Sequence, residues 1–293
     1  MVIVLRWELD VQPLIQDLIH HTAMMRTTSP GRADLGGPVD DPLEESLRII
    51  RHAEERGLRV RLIGGLGIRA RVPGWDGGAS RSAARRDIDL ATHGRDARAC
   101  GVLLTELGYE ADTHYNALYG HKQLYFVDQA RGRPVDVVID TLEMCHRLDF
   151  RDRLTADSPT LPLADLLLSK LQVVRLNHKD VLDALVLLSR FPLTDDDRDG
   201  IKLGRILEFT STDWGWWRTV TGNITAIVKL GPTEVEPSEL GSGQAPFDPW
   251  VQLAELGAVI DRAPKSRRWR VRARIGERVK WYEEPEETEH GGP

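Results

Sequence analysis

The sequence is poor in cysteine: Cys100 and Cys145 are the only two in 293 residues. Two thiols cannot build a disulfide framework or a cysteine-rich zinc site, and they point to a reducing compartment. Long apolar runs are absent too; nothing approaches the ~18 consecutive apolar residues of a membrane span. The opening run Met1–Leu5 is too short for a signal-peptide core, and Glu8 and Asp10 follow at once. A cytoplasmic chain with no membrane partner is the expectation. Excess basic charge is the third absence. The net charge is −6, which excludes a bulk basic coat for gripping duplex nucleic acid. An acidic protein that handles nucleotides can do so through a bound cation, which brings positive charge to the phosphates.

What is present divides the chain into four stretches. Residues 1–42 form an irregular lead, with Met24–Asp41 rich in Gly, Pro, Thr and Asp and without a period. Residues 43–160 read as an α/β core. Leu43–Arg56 is an amphipathic helix stopped by Gly57, and Val60–Ile63 is a strand running into the Gly64-Gly65 turn. Val72–Ser80 is a loop, Asp87–Thr92 a strand with one acidic face, and Arg95–Leu107 a helix ended by Gly108. Lys122–Asp128 and Pro134–Ile139 flank a turn and read as a hairpin. Residues 161–232 are helical: Leu163–Leu176, Lys179–Arg190, and helix from Ile201 to Lys229, with the acidic run Thr194–Asp199 as its cap. Residues 233–293 hold a Pro/Gly/Ser-rich linker (Thr233–Pro249), a helix (Trp250–Ala263), a hairpin (Trp269–Ile275 with Val279–Tyr282) and a Glu-rich disordered tail. The fold class is α+β: a mixed sheet flanked by helices, then a helical region and a small C-terminal β-hairpin.

The residues that point to chemistry are Gly64-Gly65, Asp87-Ile88-Asp89 and Asp136. Carboxylates two apart on a strand share one face. Like charges that close need a cation or a shared proton. Asp136 lies in the otherwise apolar run Val135-Asp136-Val137-Val138-Ile139, where a carboxylate is costly unless something pairs it. A third ligand on a neighbouring strand completes a site for Mg²⁺ or Mn²⁺, which favours carboxylates together with phosphate oxygens. Asp140 is the rival for this position, and Arg133 offers Asp136 a structural partner. The paired glycines let backbone approach phosphate at a helix N-terminus, and Arg85 and Arg86 stand directly before the acidic strand. Lys170 falls inside the apolar stripe Leu163, Leu166, Leu167, Leu171 and Val174, so it must snorkel or meet an anion. Asp180 and Asp183, three apart, share a face of the next helix.

These motifs resemble the polymerase-beta-like nucleotidyltransferase superfamily over roughly Arg61 to Arg190. The stretch Leu161–Leu171 followed by Lys179-Asp180-Val181-Leu182-Asp183 looks like the third and fourth motifs of its AbiEii and MenT-type toxin branch. The chain departs from the pattern in the long gap between Gly65 and Asp87. The resemblance implies an NTP substrate, a metal held by Asp87, Asp89 and Asp136, and triphosphate contacts from Lys170. It implies a further aspartate needed for activity, at Asp180 or Asp183. It also implies an RNA acceptor and an antitoxin partner; a small-molecule acceptor uses the same chemistry, and a catalytically silent nucleotide-binding module is the reading from another class.

The remaining features take blander readings. Cys145-His146 has no second pair at ligand spacing and is read as structural. His114, His121, Tyr115, Tyr119 and Tyr125 are read as packing or solvent-facing, with base stacking as the alternative. Trp214, Trp216 and Trp217 are read as core anchors. In Lys265–Arg274, Arg268, Arg270, Arg272 and Arg274 alternate with other residues, which on a strand makes one arginine face. That face is read as solvated, with a grip on RNA phosphates as the alternative.

Overall fold

The computed structural model describes residues 35–75, 87–198, 200–241 and 245–284. All the described elements belong to one compact unit that begins at Gly37. In chain order these are α1 (Pro42–Glu55), β1 (Val60–Leu62), α2 (Gly64–Arg71), β2 (Ile88–Thr92), α3 (Gly94–Glu106), β3 (Glu110–Ala111), α4 (Thr113–Tyr119), β4 (Gln123–Asp128) and β5 (Arg133–Ile139). A small hairpin, β6 (Thr141–Glu143) with β7 (Arg147–Asp149), leads into α5 (Leu163–Leu171) and α6 (His178–Arg190). Short β8 (Leu193–Thr194) and β9 (Ile201–Lys202) precede α7 (Leu203–Thr210), α8 (Trp214–Leu230), α9 (Pro249–Arg262) and α10 (Arg267–Ile275).

Alternation builds the sheet. In β5, Val135, Val137 and Ile139 are buried on one face, while Asp136 and Val138 lie on the other, less covered face. The five strands run in the order β1-β2-β5-β4-β3. β2 and β5 are parallel, joined through the crossover helix α3, and the other pairs are antiparallel. The mixed sheet flanked by helices is therefore as the alternation predicted. The helices α5 to α9 pack into one apolar core that also takes Ile63, Ile68 and Ala91 from the sheet half. No helix among the described residues is long and apolar enough to cross a membrane.

Several expectations need correction. The C-terminal β-hairpin does not form: residues 267–275 are helix α10 and residues 276–278 a single 3₁₀ turn. Ser266 caps α10 by accepting from the Trp269 amide, and Trp269 and Arg272, three apart, both face α8. Helical spacing serves that anchoring, whereas a strand would split the pair. The stretch 201–229 is not one helix. It breaks at Ser211–Asp213, and Asp213 caps α8 by accepting from Gly215 and Trp216. The helix after the acidic run starts at Leu203 with Lys202 as its N-cap and no side-chain capping bond, so the described part of the run does not cap it. Asp197 instead receives both terminal nitrogens of Arg153, at 2.9 and 2.6 Å. Helix α5 ends at Leu171, short of Leu176, because Asn223 reaches across to accept the role of cap: its amide donates to the carbonyls of Leu171 and Val173, both at 2.8 Å. The linker 233–249 includes packed chain, with Val235 buried and the Trp75 indole donating to the Glu239 carbonyl. The Glu-rich tail beyond Glu284 lies outside the described residues.

Candidate active site

The acidic face is assembled by strand register. Asp89 on β2 is directly beside Asp136 on β5, and Asp136 is directly beside Tyr125 on β4. Adjacent strands lie about 4.8 Å apart, so two carboxylates and a phenol form one row across three strands. Asp87, two residues before Asp89, extends the acidic edge of that row. Gln123 stands one step along β4 and donates to Asp136 Oδ1 at 2.5 Å. Arg133 is not a partner of Asp136: its guanidinium donates to the carbonyls of Val39 and Asp40.

Asp140 does not join the row. It follows β5 with φ +60°, accepts from His93 Nδ1 at 2.9 Å and from the Gly94 amide at 3.0 Å, and so fastens the start of α3. Four residues along a strand is about 13 Å from Asp136.

The glycine turn closes on the acidic row. Gly64 has φ +61°, and a Cβ there would sit 2.2 Å from Asp89 Oδ2. Only glycine combines that backbone with that contact. The Ile63 amide donates to the Asp89 carbonyl at 2.9 Å, fixing the N-terminus of α2 beside Asp89. The helix N-terminus adds positive potential there.

From the helical half, Lys170 on α5 meets two carboxylates of α6: Asp183 Oδ2 at 3.0 Å and Asp180 Oδ1 at 3.4 Å. Burial pulls its pKa down, but Asp183, then Asp180 and Asp89, outweigh this and hold the ammonium above its usual range. Lys170 therefore stands between the α6 aspartates and the sheet row. Asp183 is nearer and the more buried; the Asp180 amide donates to the N-cap Asn177 Oδ1 at 2.9 Å. Both aspartates thus belong to the lysine's shell.

Burial disfavours the charged forms of Asp136, Asp87 and Tyr125. Burial raises the Asp136 carboxyl to about 6; Gln123 opposes this and the charge of Asp87 adds to it. Burial also raises Asp87, against the pull of Lys179. Tyr125 is raised by burial first, then by Asp136, Asp87 and Asp112. Sequence reading missed Gln123, Tyr125 and Lys179 as members of this site. The first two were reachable, since counting outward from the β4–β5 turn sets Tyr125 opposite Asp136. Lys179 needed the tertiary structure.

Carboxylate oxygens are the donors that Mg²⁺ and Mn²⁺ favour. Among the described residues no set of three or more His, Cys, Asp or Glu side chains converges to hold a metal ion. Mg²⁺ does not need a complete protein cage, because one or two carboxylates with substrate phosphates suffice. The adjacent Asp89 and Asp136 fit that mode, and the raised pKa of Asp136 marks a place where a cation would be stabilising. Arg85 and Arg86 lie outside the described residues.

A cavity of about 460 Å³ opens beside this row, lined by Gln123, Val138, Tyr115, Tyr119, Leu142 and Arg147 among others. The Tyr115 ring lies 4.9 Å from that of Tyr119 and 5.9 Å from that of Tyr125. The cysteine-histidine pair is structural. His146 Nε2 bonds Thr219 Oγ1 at 2.8 Å, and Cys145 Sγ accepts from the Val174 amide at 3.4 Å.

No family model matches the sequence, and no curated protein matches it. Among solved structures the chain is similar to a STING-associated CdnE c-di-GMP synthase from Capnocytophaga granulosa, at 12% identity and a TM-score of 0.26, covering 85% of this chain and 92% of that one. A TM-score of that size is too low to show a shared fold.

Proposed function

We propose that the chain is a nucleotidyltransferase that moves a nucleoside monophosphate from an NTP to an acceptor hydroxyl. The observation that carries this reading is the in-register pair Asp89 and Asp136, with Asp87 on the same edge and Lys170 facing them from the helical half. Asp89 and Asp136 would hold Mg²⁺ or Mn²⁺ together with substrate phosphate oxygens, with Asp87 at the edge of the same site. When bound, the cation lowers the pKa of the attacking hydroxyl and neutralises the triphosphate. The Gly64-Gly65 turn admits phosphate oxygens against backbone at the N-terminus of α2. Lys170 supplies fixed positive charge, and Asp180 and Asp183 hold its ammonium in place. Lys179, exposed on the first turn of α6 and electrostatically linked to Asp87, supplies a second cation at the triphosphate side. Rate gain comes from positioning and charge stabilisation.

The acceptor has two readings. The family resemblance favours RNA, with an antitoxin as protein partner. The cavity beside Gln123 favours a small acceptor, because about 460 Å³ is the size of an ordinary small-molecule site. The arginines that supported RNA lie on a helix rather than a strand, and no residue of α10 lines this cavity. A panel of α-³²P-labelled NTPs with Mg²⁺, against total RNA and a small-hydroxyl library, tests both. Label transfer lost in Asp89→Ala supports the enzyme. Mg²⁺-dependent NTP binding by calorimetry without any transfer would mean a silent nucleotide-binding module instead.

A further inference from the structure

Residues 265–280 hold eight lysines and arginines against one acidic residue, Glu277, in a chain of net charge −6. The inner face of α10 is fixed. Trp269 packs edge-on against Trp217 with ring centroids 5.2 Å apart. The Arg272 guanidinium lies 4.7 Å from the Trp214 ring centroid and donates to the carbonyls of Gly276 and Val279. The Ser266 amide, just before the helix, donates to the Ser211 carbonyl at 2.9 Å. The helix therefore presents a preformed outer face.

That outer face mixes two chemistries. Arg267, Arg270 and Arg274 are exposed at i, i+3 and i+7, one stripe of a helix. Their side chains, and that of Arg278, make no ion pair or hydrogen bond with a described residue. The local carboxylate, Glu277, is already engaged by Arg218 at 2.5 Å. Beside the arginines stand Val271 and Ile275, 60% and 42% exposed, with Val279 at 56% just beyond.

We propose that the outer face of α10 is a docking surface for an anionic lipid bilayer. Arginines whose side chains have no partner among the described residues favour a negatively charged surface. A polynucleotide would satisfy them and leave the three aliphatic side chains in water. An anionic membrane interface takes both, with the aliphatics at the headgroup boundary and the arginines on lipid phosphates. That no helix among the described residues is long and apolar enough to span a membrane is no obstacle, because such a contact lies flat. A few charges and three small side chains make the contact reversible.

The test is co-sedimentation of the full chain with vesicles of phosphatidylcholine alone and of phosphatidylcholine with phosphatidylglycerol. Binding to the anionic vesicles only, weakened by salt, is expected. R267E/R270E/R274E lowers the partition coefficient by roughly a hundred-fold or more. V271S/I275S lowers it by about ten-fold while leaving its salt dependence in place. Thermal melts accompany each variant; if the triple variant melts early, R270E and R274E are read singly. A fluorescein-labelled single-stranded RNA is titrated against the same set. Three results overturn the proposal: no preference for anionic over neutral vesicles, V271S/I275S binding vesicles like wild type, or RNA binding that needs the arginines with no vesicle binding.

Discussion

Two carboxylates, Asp165 on α5 and Asp136 on β5, show what distinguishes a structural acid from a chemical one. Asp165, on α5, has no exposed surface. Its two oxygens receive Arg153 Nε at 2.7 Å and Arg205 Nε at 2.8 Å, and both arginines are held further, by Asp197 and by the Asp149 carbonyl. Asp136, on β5, is only half covered. Among the described residues it has one hydrogen-bond donor, Gln123, and its charge is disfavoured by burial and by Asp87. The first acid is satisfied by the fold. The charge of the second is disfavoured by its surroundings, the pattern expected of a functional site rather than of a core network.

The sharpest way to break this comparison is to neutralise each acid. Asp165→Ala leaves two buried guanidinium groups without their shared partner and is expected to cost about 3–5 kcal/mol of stability, read from urea unfolding. Asp136→Asn is expected to leave stability within about 1 kcal/mol while lowering nucleotide transfer by about 10²–10³-fold. Equal losses of stability in the two variants would erase the distinction.

His146 supplies a pH-dependent test of the structural half. Burial lowers its pKa to about 4 from the ordinary 6.5, with Asp213 opposing. The folded state therefore keeps it neutral where the unfolded chain binds a proton. Its contribution is fully present above pH 6.5 and is lost as the pH falls toward 4, by up to about 3 kcal/mol. Unfolding midpoints at pH 7 and pH 5, compared between wild type and His146→Gln, measure that slope. A wild-type slope no steeper than the variant's would show that His146 is not held neutral by the fold.

Gly64→Ala tests the contact between turn and acidic row. Positive φ costs a β-carbon about 1–2 kcal/mol, and the new methyl must displace the Asp89 carboxylate. Transfer should fall far more than the melting temperature does; normal activity would remove Gly64 from the site. The smallest effect is expected at the exposed Lys122–Glu143 pair, 2.8 Å apart. Lys122→Met should change stability by less than about 0.5 kcal/mol, and a larger loss would mean that this rim of the cavity is more rigid than its exposure suggests.

The site residues differed in how readable they were. Asp87, Asp89 and Asp136 declared themselves by strand alternation, and Gly64 by its place between a strand and a helix. Lys170 stood out as a cation in an apolar stripe. Asp136 is favoured over its rival Asp140 by its more apolar strand, and the parallel pairing of β2 with β5 sets Asp136 beside Asp89 while Asp140 fastens the start of α3. The C-terminal misreading has a definite cause. Arginines at every second position fit a short strand as well as a helix, and only packing of Trp269 and Arg272 onto α8 selects the helical spacing.

What the sequence determined by itself was local: periodicity, caps, glycine stops, and therefore the existence and type of most elements. What only the tertiary structure decided was which distant groups meet. Lys179 near Asp87 is a consequence of how the sheet and helical halves pack, and Lys170 beside Asp183 of how α5 packs on α6. The acidic triplet around Ile88 is legible in one dimension because strand geometry repeats every two residues. Its electrostatic partners are not, because burial and charge act through space and follow no sequence period.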